Sequence, residues 1–364
     1  MNYKPEILVL VLFAFASISL SQELKEFTHY YSINGQKTTK KEVFEGYVEN
    51  GDTILHGEYN AWYPTGDKSS NGYYQHNQKD GLWTSYYVNG EMESKIHYHE
   101  GMEDGDYVLY YDNGHIQEKG AFNDGLREGM IVSYLEKGNI FRKQEYKKGK
   151  PDGLYLEYHD NGEINYKGIR KDTSYIDTLR VFYKNGNLQR VCHYEEGRLN
   201  GRFVGYYQNG KKMMISHCED GKIEGIYKEY FPTGEILQKG YYENNHKTGK
   251  WKSFYTDSSV HAIGHYKADK YHGSWKVYYN SGRLKQSGNY LEGEETGKWY
   301  FYHENGYLNQ TGHFIGGKRQ GIWRYFSDKG YLEQIAYFKN NQPLGITWLY
   351  SREGKTQKKF LNTD

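Results

Sequence analysis

The stretch "GKWYFYHENGYLNQTGHFIGGKRQ", residues 297–320, decides the fold, because the next residue starts the same text again as "GIWRYFSDKGYLEQIAYFKNNQPL", residues 321–344. Both open on glycine and carry Trp third, an aromatic sixth and glycine tenth. Stepping outward by 24 residues, the phase holds from Gly57 to Gly345 without an insertion. Counting Gly57 as position 1, the sixth position is aromatic in every unit from Trp62 to Tyr350. The tenth is glycine except at Ser258, and the first is glycine except at Asp177. A fixed period of this length is the signature of a repeat array, and it takes precedence over any other reading of the fold.

Within a unit the text reads as a hairpin. Residues 105–128, "GDYVLYYDNGHIQEKGAFNDGLRE", give a Tyr-rich run, a turn at Asp112-Asn113-Gly114, a second run ending at Phe122 and a polar link. Pro64 and Pro232 stand eighth and Asn89, Asn113 and Asn305 ninth. Proline presets φ for a type I turn and the tenth-position glycine supplies αL, so a three-residue loop with a G1 bulge is predicted. Positions seven and eleven then flank the loop, and the sixth-position ring faces the twelfth residue, as Tyr110 faces Ile116 or Tyr302 faces Leu308. Such aromatic–aliphatic cross-strand pairs contribute roughly 0.2–1 kcal/mol each.

A repeat of even length returns each position to the same side of a sheet. Two-residue counting puts the eighteenth position, Tyr98 or Phe314, on the face of the sixth and twelfth. It sends the third and seventh, Trp275 with Tyr279 or Trp299 with His303, to the other. No segment between Gly57 and Gly345 has a helical apolar period. The expected fold is therefore all-β: an extended single-layer antiparallel β-meander built from 24-residue β-hairpin repeats.

The ends read differently. Residues 1–21, with Lys4, the apolar run from Ile7 to Leu20 and small residues before Gln22, fit a secretory signal peptide; an uncleaved anchor is the alternative. An exported chain follows, periplasmic, on the outer surface or secreted. Residues 22–56 form a degenerate N-terminal cap around Gly35, 57–344 the twelve repeats, and 345–364 a partial C-terminal cap. Terminal units of an array face water on one side and depart from consensus.

Composition agrees: 41 Tyr and 43 Gly with mean hydropathy −0.97 do not describe a Leu/Val/Ile interior. The net charge of +1 provides no global field for nucleic acid, and no nucleic-acid partner is expected.

The pattern G-x-W-x-x-Y-Y-x-x-G-x-L-x-x-x-G-x-Y-x-x-G, clear over Gly273–Gly293 and Gly297–Gly317, resembles the MORN repeat (membrane occupation and recognition nexus) in its bacterial variant form, including chains of the antitoxin-like YwqK type. The resemblance implies a protein-binding scaffold, in some cases lipid-associated, with a toxin partner in the antitoxin-like group. The unit at 153–176 departs from the pattern, with Arg170 at the eighteenth position, and the next opens on Asp177.

Chemistry-bearing residues are sparse. Cys192 and Cys218 fall on strands separated by one other strand, roughly 9–10 Å apart, beyond the reach of about 7 Å that a disulfide spans. His97 and His99 share a strand face without two further ligands. No hydrolase, phosphate-loop or metal motif is present, so no catalytic residue, metal or cofactor is expected. The aromatic rows remain. Trp251, Trp275, Trp299 and Trp323, with Tyr279, are the candidate binding residues, since a contiguous exposed aromatic stripe marks an interaction surface. The leading expectation is a noncatalytic exported scaffold for an unknown protein partner. The alternatives are a glycan-binding surface, with Trp275 and Trp299 stacking on sugar, and a phospholipid-associated or antitoxin-like binder.

Overall fold

The computed structural model describes residues 23–351 and 356–360; the signal-peptide segment lies outside them. Among the described residues there are 28 strands and no helix. The chain divides into two units, residues 1–126 and 127–364. In each, strands pair antiparallel with their sequence neighbours, as β-meanders do.

The hairpin turn matches the chemistry of its sequence. In the unit opening at Gly81, Gly90 N–H donates to the Tyr87 carbonyl at 2.9 Å and Tyr87 N–H to the Glu91 carbonyl at 2.8 Å. Gly90 has φ +86°, so this is a type I turn closed by a G1 bulge. Ser258, the non-glycine at the same place, holds φ +68°. The predicted register follows: Tyr86 faces Met92, Tyr110 faces Ile116 and Tyr302 faces Leu308. Units are joined by a second turn with two αL residues, such as Glu100–Gly101 or Asn244–Asn245, the geometry of a two-residue type I′ link.

One part of the register differs from expectation. Ser85 faces Ser94 while Tyr86 faces Met92, so the second strand carries one extra residue, Glu93, and the same skip recurs in the other units. A bulge of one residue reverses the side on which every later residue lies. The eighteenth position therefore shares its face with the third: Trp83 pairs with Ile96 and Gly81 with Tyr98. Positions 6 and 12 lie on the opposite side. Between units a second irregularity falls at the first-position glycine, which sits at φ +62° to +126° throughout. Asp177 adopts φ +59° in that place, the αL state that Asp tolerates better than branched residues do.

The core lies on the third-position face. Tyr107 (2% exposed), Ile131, Tyr155, Leu179, Trp299 and Trp323 (0%) are all buried there. The N-terminal cap region contains strands Lys25–Ile33 and Gln36–Glu49, whose pairing carries two register shifts. Its Asn34–Gly35 turn has both residues at positive φ, unlike the three-residue loop of the repeats.

Candidate functional site

Burial of the tryptophans has a specific cause. A Cβ placed on Gly240, Gly264, Gly288 or Gly312 would lie 2.0–2.2 Å from the rings of Trp251, Trp275, Trp299 and Trp323 respectively. Each indole therefore lies flat over the sixteenth-position glycine of the preceding unit, a place that only a residue without a side chain leaves open. Eighteenth-position rings close the sides edge-on: Tyr290 and Phe314 flank Trp299 at centroid distances of 5.0 and 6.0 Å. Cations cover some of the indoles, with Lys247 4.3 Å from the Trp251 centroid and Arg319 4.5 Å from that of Trp323. Burial lowers the Lys247 pKa and pushes that of Tyr290 up to about 12, helped by the nearby Glu295 charge.

The indole N–H groups are used too. Trp251, Trp275 and Trp299 donate to the carbonyls of Tyr241, His265 and Asn289 at 3.1, 3.0 and 3.2 Å. Trp323 Nε1 is buried with no partner.

The exposed aromatic stripe expected from these four tryptophans is thus absent: they are 0–9% exposed. With Trp275 9% and Trp299 1% exposed, neither presents a free ring face on which a sugar could stack. Tyr279 belongs to a different set. Its hydroxyl donates to the Tyr302 carbonyl at 2.8 Å, one rung of a ladder from the seventh position of one unit to the sixth of the next. Tyr183, Tyr207 and Tyr255 make the same bond, and His303 Nε2 lies 2.9 Å from the Phe326 carbonyl. Ninth-position asparagines bridge neighbouring loops in the same way, with Asn305 Nδ2 donating to the Asp328 carbonyl at 2.6 Å. The residue interval of 23 behind each bond was present in the sequence, but hydroxyl-to-carbonyl bonds leave no compositional mark.

Other candidates also take structural roles. Cys192 and Cys218 are both free and buried, and burial raises both thiol pKa values. His97 Nδ1 lies 2.9 Å from the Asp106 carbonyl and His99 Nδ1 3.5 Å from Asp80, so the two rings have separate partners. Arg170 replaces the eighteenth-position ring and lies 5.1 and 5.4 Å from the centroids of Tyr155 and Tyr175. Arg170 directly faces Tyr175, whereas Tyr242 faces Lys247 in the later unit. The cation and the ring have exchanged strands, which preserves the contact.

The other face carries positions 2, 4, 15 and 17 and is open chiefly at 2 and 17, since Thr84, Val204 and Thr311 at positions 4 and 15 are buried. Ile226 with Tyr241, and Ile322 with Tyr337, are cross-strand pairs on it, exposed by 55, 51, 48 and 51%. Shallow recesses lie between residues 202 and 252 on the same side, lined by Arg202, Ile215, Ile226, Lys228 and Tyr241 among others. Sequence counting missed this surface because it ranked residues by aromatic content, and the richest rows are those the fold buries.

The repeat model described as MORN repeat variant matches residues 79–100, 103–124, 151–172, 178–196, 223–244, 247–268 and 271–292. No curated protein matches the chain. Among solved structures, a TcdB2-TccC3 crystal structure aligns at 10% identity over 92% of this chain and 24% of that one, with a TM-score of 0.18. A TcdB2-TccC3-Cdc42 structure gives 10%, 92%, 20% and 0.17. The Photorhabdus luminescens Tc holotoxin pore gives 10%, 92%, 23% and 0.16. The chain spans about a quarter or less of those chains.

Proposed function

The chain is a MORN-repeat protein, and from that premise we propose that it is a noncatalytic exported scaffold that binds a protein partner through the face carrying positions 2, 4, 15 and 17. The supporting observation is the difference between the faces. One is filled by its own rings, while the other displays Ile226, Tyr241, Ile322 and Tyr337 at about half exposure. Repeat arrays offer such continuous surfaces to their ligands, and apolar residues clustered on a polar face mark interaction sites. Export rests on the signal-like residues 1–21.

A photo-crosslinking residue at position 322 or 337, in cells fractionated for envelope and medium, tests this. A discrete adduct from either position, with none from position 286 on the opposite face, is expected. Adducts from position 286 alone, or none anywhere, would refute the reading. Recovery of the chain from the cytoplasm with residues 1–21 intact would refute export.

A further inference from the structure

The net charge of +1 hides a one-sided distribution. From Thr178 to His265, positions 2, 4, 15 and 17 hold Arg180, Arg202, Lys228, Lys239, Lys250 and Lys252 and no Asp or Glu. Three of these face one another directly on consecutive strands: Lys228 opposite Lys239, and Lys239 opposite Lys252. Like charges in directly opposed positions destabilise a sheet. Other fifteenth-position lysines face at most one cation: Lys143 faces Val132 and Leu156, Lys95 faces Thr84 and Val108, and Lys167 faces Leu156 on one side and Arg180 on the other.

Among the described residues no ion pair offsets the triad of Lys228, Lys239 and Lys252, and Lys250 forms none either. The Phe254 ring lies 5.7 Å from Lys239 Nζ and 5.0 Å from Lys252 Nζ. Glu224, at the edge of the strip, already accepts the Asn244 backbone N–H at 2.8 Å. Between the ammonium groups the surface is apolar: Ile215, Ile226 and Tyr241 line the same recesses.

We infer that this strip, residues 202–252, docks an acidic polypeptide segment containing apolar or aromatic side chains. The inference rests on the scaffold reading and specifies its partner. Lysines on adjacent strands, whose backbones lie about 4.8 Å apart, call for a ligand with closely spaced carboxylates. The intervening Ile and Tyr call for apolar groups on that same ligand. A polyuronate or a nucleic-acid backbone supplies the charge without aliphatic or phenolic side chains to cover Ile226 and Tyr241. Charge complementarity speeds encounter and selects the partner, and the apolar contacts slow its release.

The probe is a labelled random copolymer of glutamate and tyrosine, titrated against the full chain at low ionic strength. Wild type is expected to bind it more tightly than polyglutamate. K228Q/K239Q/K252Q should weaken binding by about tenfold, the sum of three surface ion contacts, while K276Q, a lysine opposite Ser287 and Ile263, changes it less than about twofold. The triple variant should also melt higher than wild type, because the mutual repulsion is gone; a lower Tm would overturn the premise. Absence of copolymer binding, equal binding by the triple variant, or preference for polygalacturonate, single-stranded DNA or anionic vesicles would each overturn the assignment. Crosslinking at positions 322 and 337 lies outside the strip, so the scaffold reading survives or fails separately.

Discussion

Residues 129–216 and residues 240–336 build the same face from different volumes. In the first stretch Tyr155 faces Gln144 and Phe203 faces Cys192, with Leu179 over Gly168. In the second every third-position Trp lies over a glycine. All the third-position tryptophans obey this rule, Trp83 over Gly72 included, but Gly168 shows that glycine does not demand Trp. The lesson is one of summed volume: the repeat fixes the space above two neighbouring strands, filled by a large ring over glycine, by a smaller side chain over Cys or Gln, or, at Gly168, by Leu179 and the Tyr175 ring together. Interiors pack to a constant density, so one position's size depends on its neighbour's.

The comparison can be broken most directly at Trp299, 1% exposed. Trp299→Ala should cost about 3–5 kcal/mol, read as a lowered urea midpoint; a loss below about 1 kcal/mol would mean the ring is not the core it resembles. Gly288→Ser should cost about 1–3 kcal/mol by overpacking. Adding Trp299→Tyr to it, which recreates the combination of Ser216 and Tyr227, should restore part of that loss. A double variant no more stable than the sum of the singles would break the volume argument.

Hydrogen bonding sharpens it further. Trp299→Phe removes a bond to the Asn289 carbonyl, whereas Trp323→Phe removes an unpartnered buried N–H. The first should be the more destabilising by about 1 kcal/mol, measured in parallel melts. The smallest effect is pH-dependent. Burial lifts the Tyr290 phenol to about 12, so its neutral form contributes stability that is fully present below its unfolded pKa of about 10 and is lost as pH rises toward 12. Tyr290→Phe should therefore lose stability less steeply across that alkaline window; an unchanged slope would remove Tyr290 as a contributor.

Much of the fold was legible because it is local. The turn at Asn89–Gly90, the pairing of Tyr86 with Met92 and the 24-residue step all follow from side-chain chemistry within a few residues. The face of Tyr98 was not legible, since parity counting carries no mark of the extra residue at Glu93, and one bulge reverses all that follows. The burial of the candidate residues was not legible for a related reason. Trp251, Trp275, Trp299 and Trp323 are the largest apolar residues of their units, and the sequence does not say whether such rings lie against backbone or water.

By itself, then, the sequence determined the period, the hairpin, both turn positions and the family, because each depends on contacts within one tile or between identical tiles. Only the tertiary structure decided which side the rings occupy and that Lys228, Lys239 and Lys252 stand abreast. Those residues are 11 and 13 positions apart in the chain, and only the bulge-shifted register brings them into line.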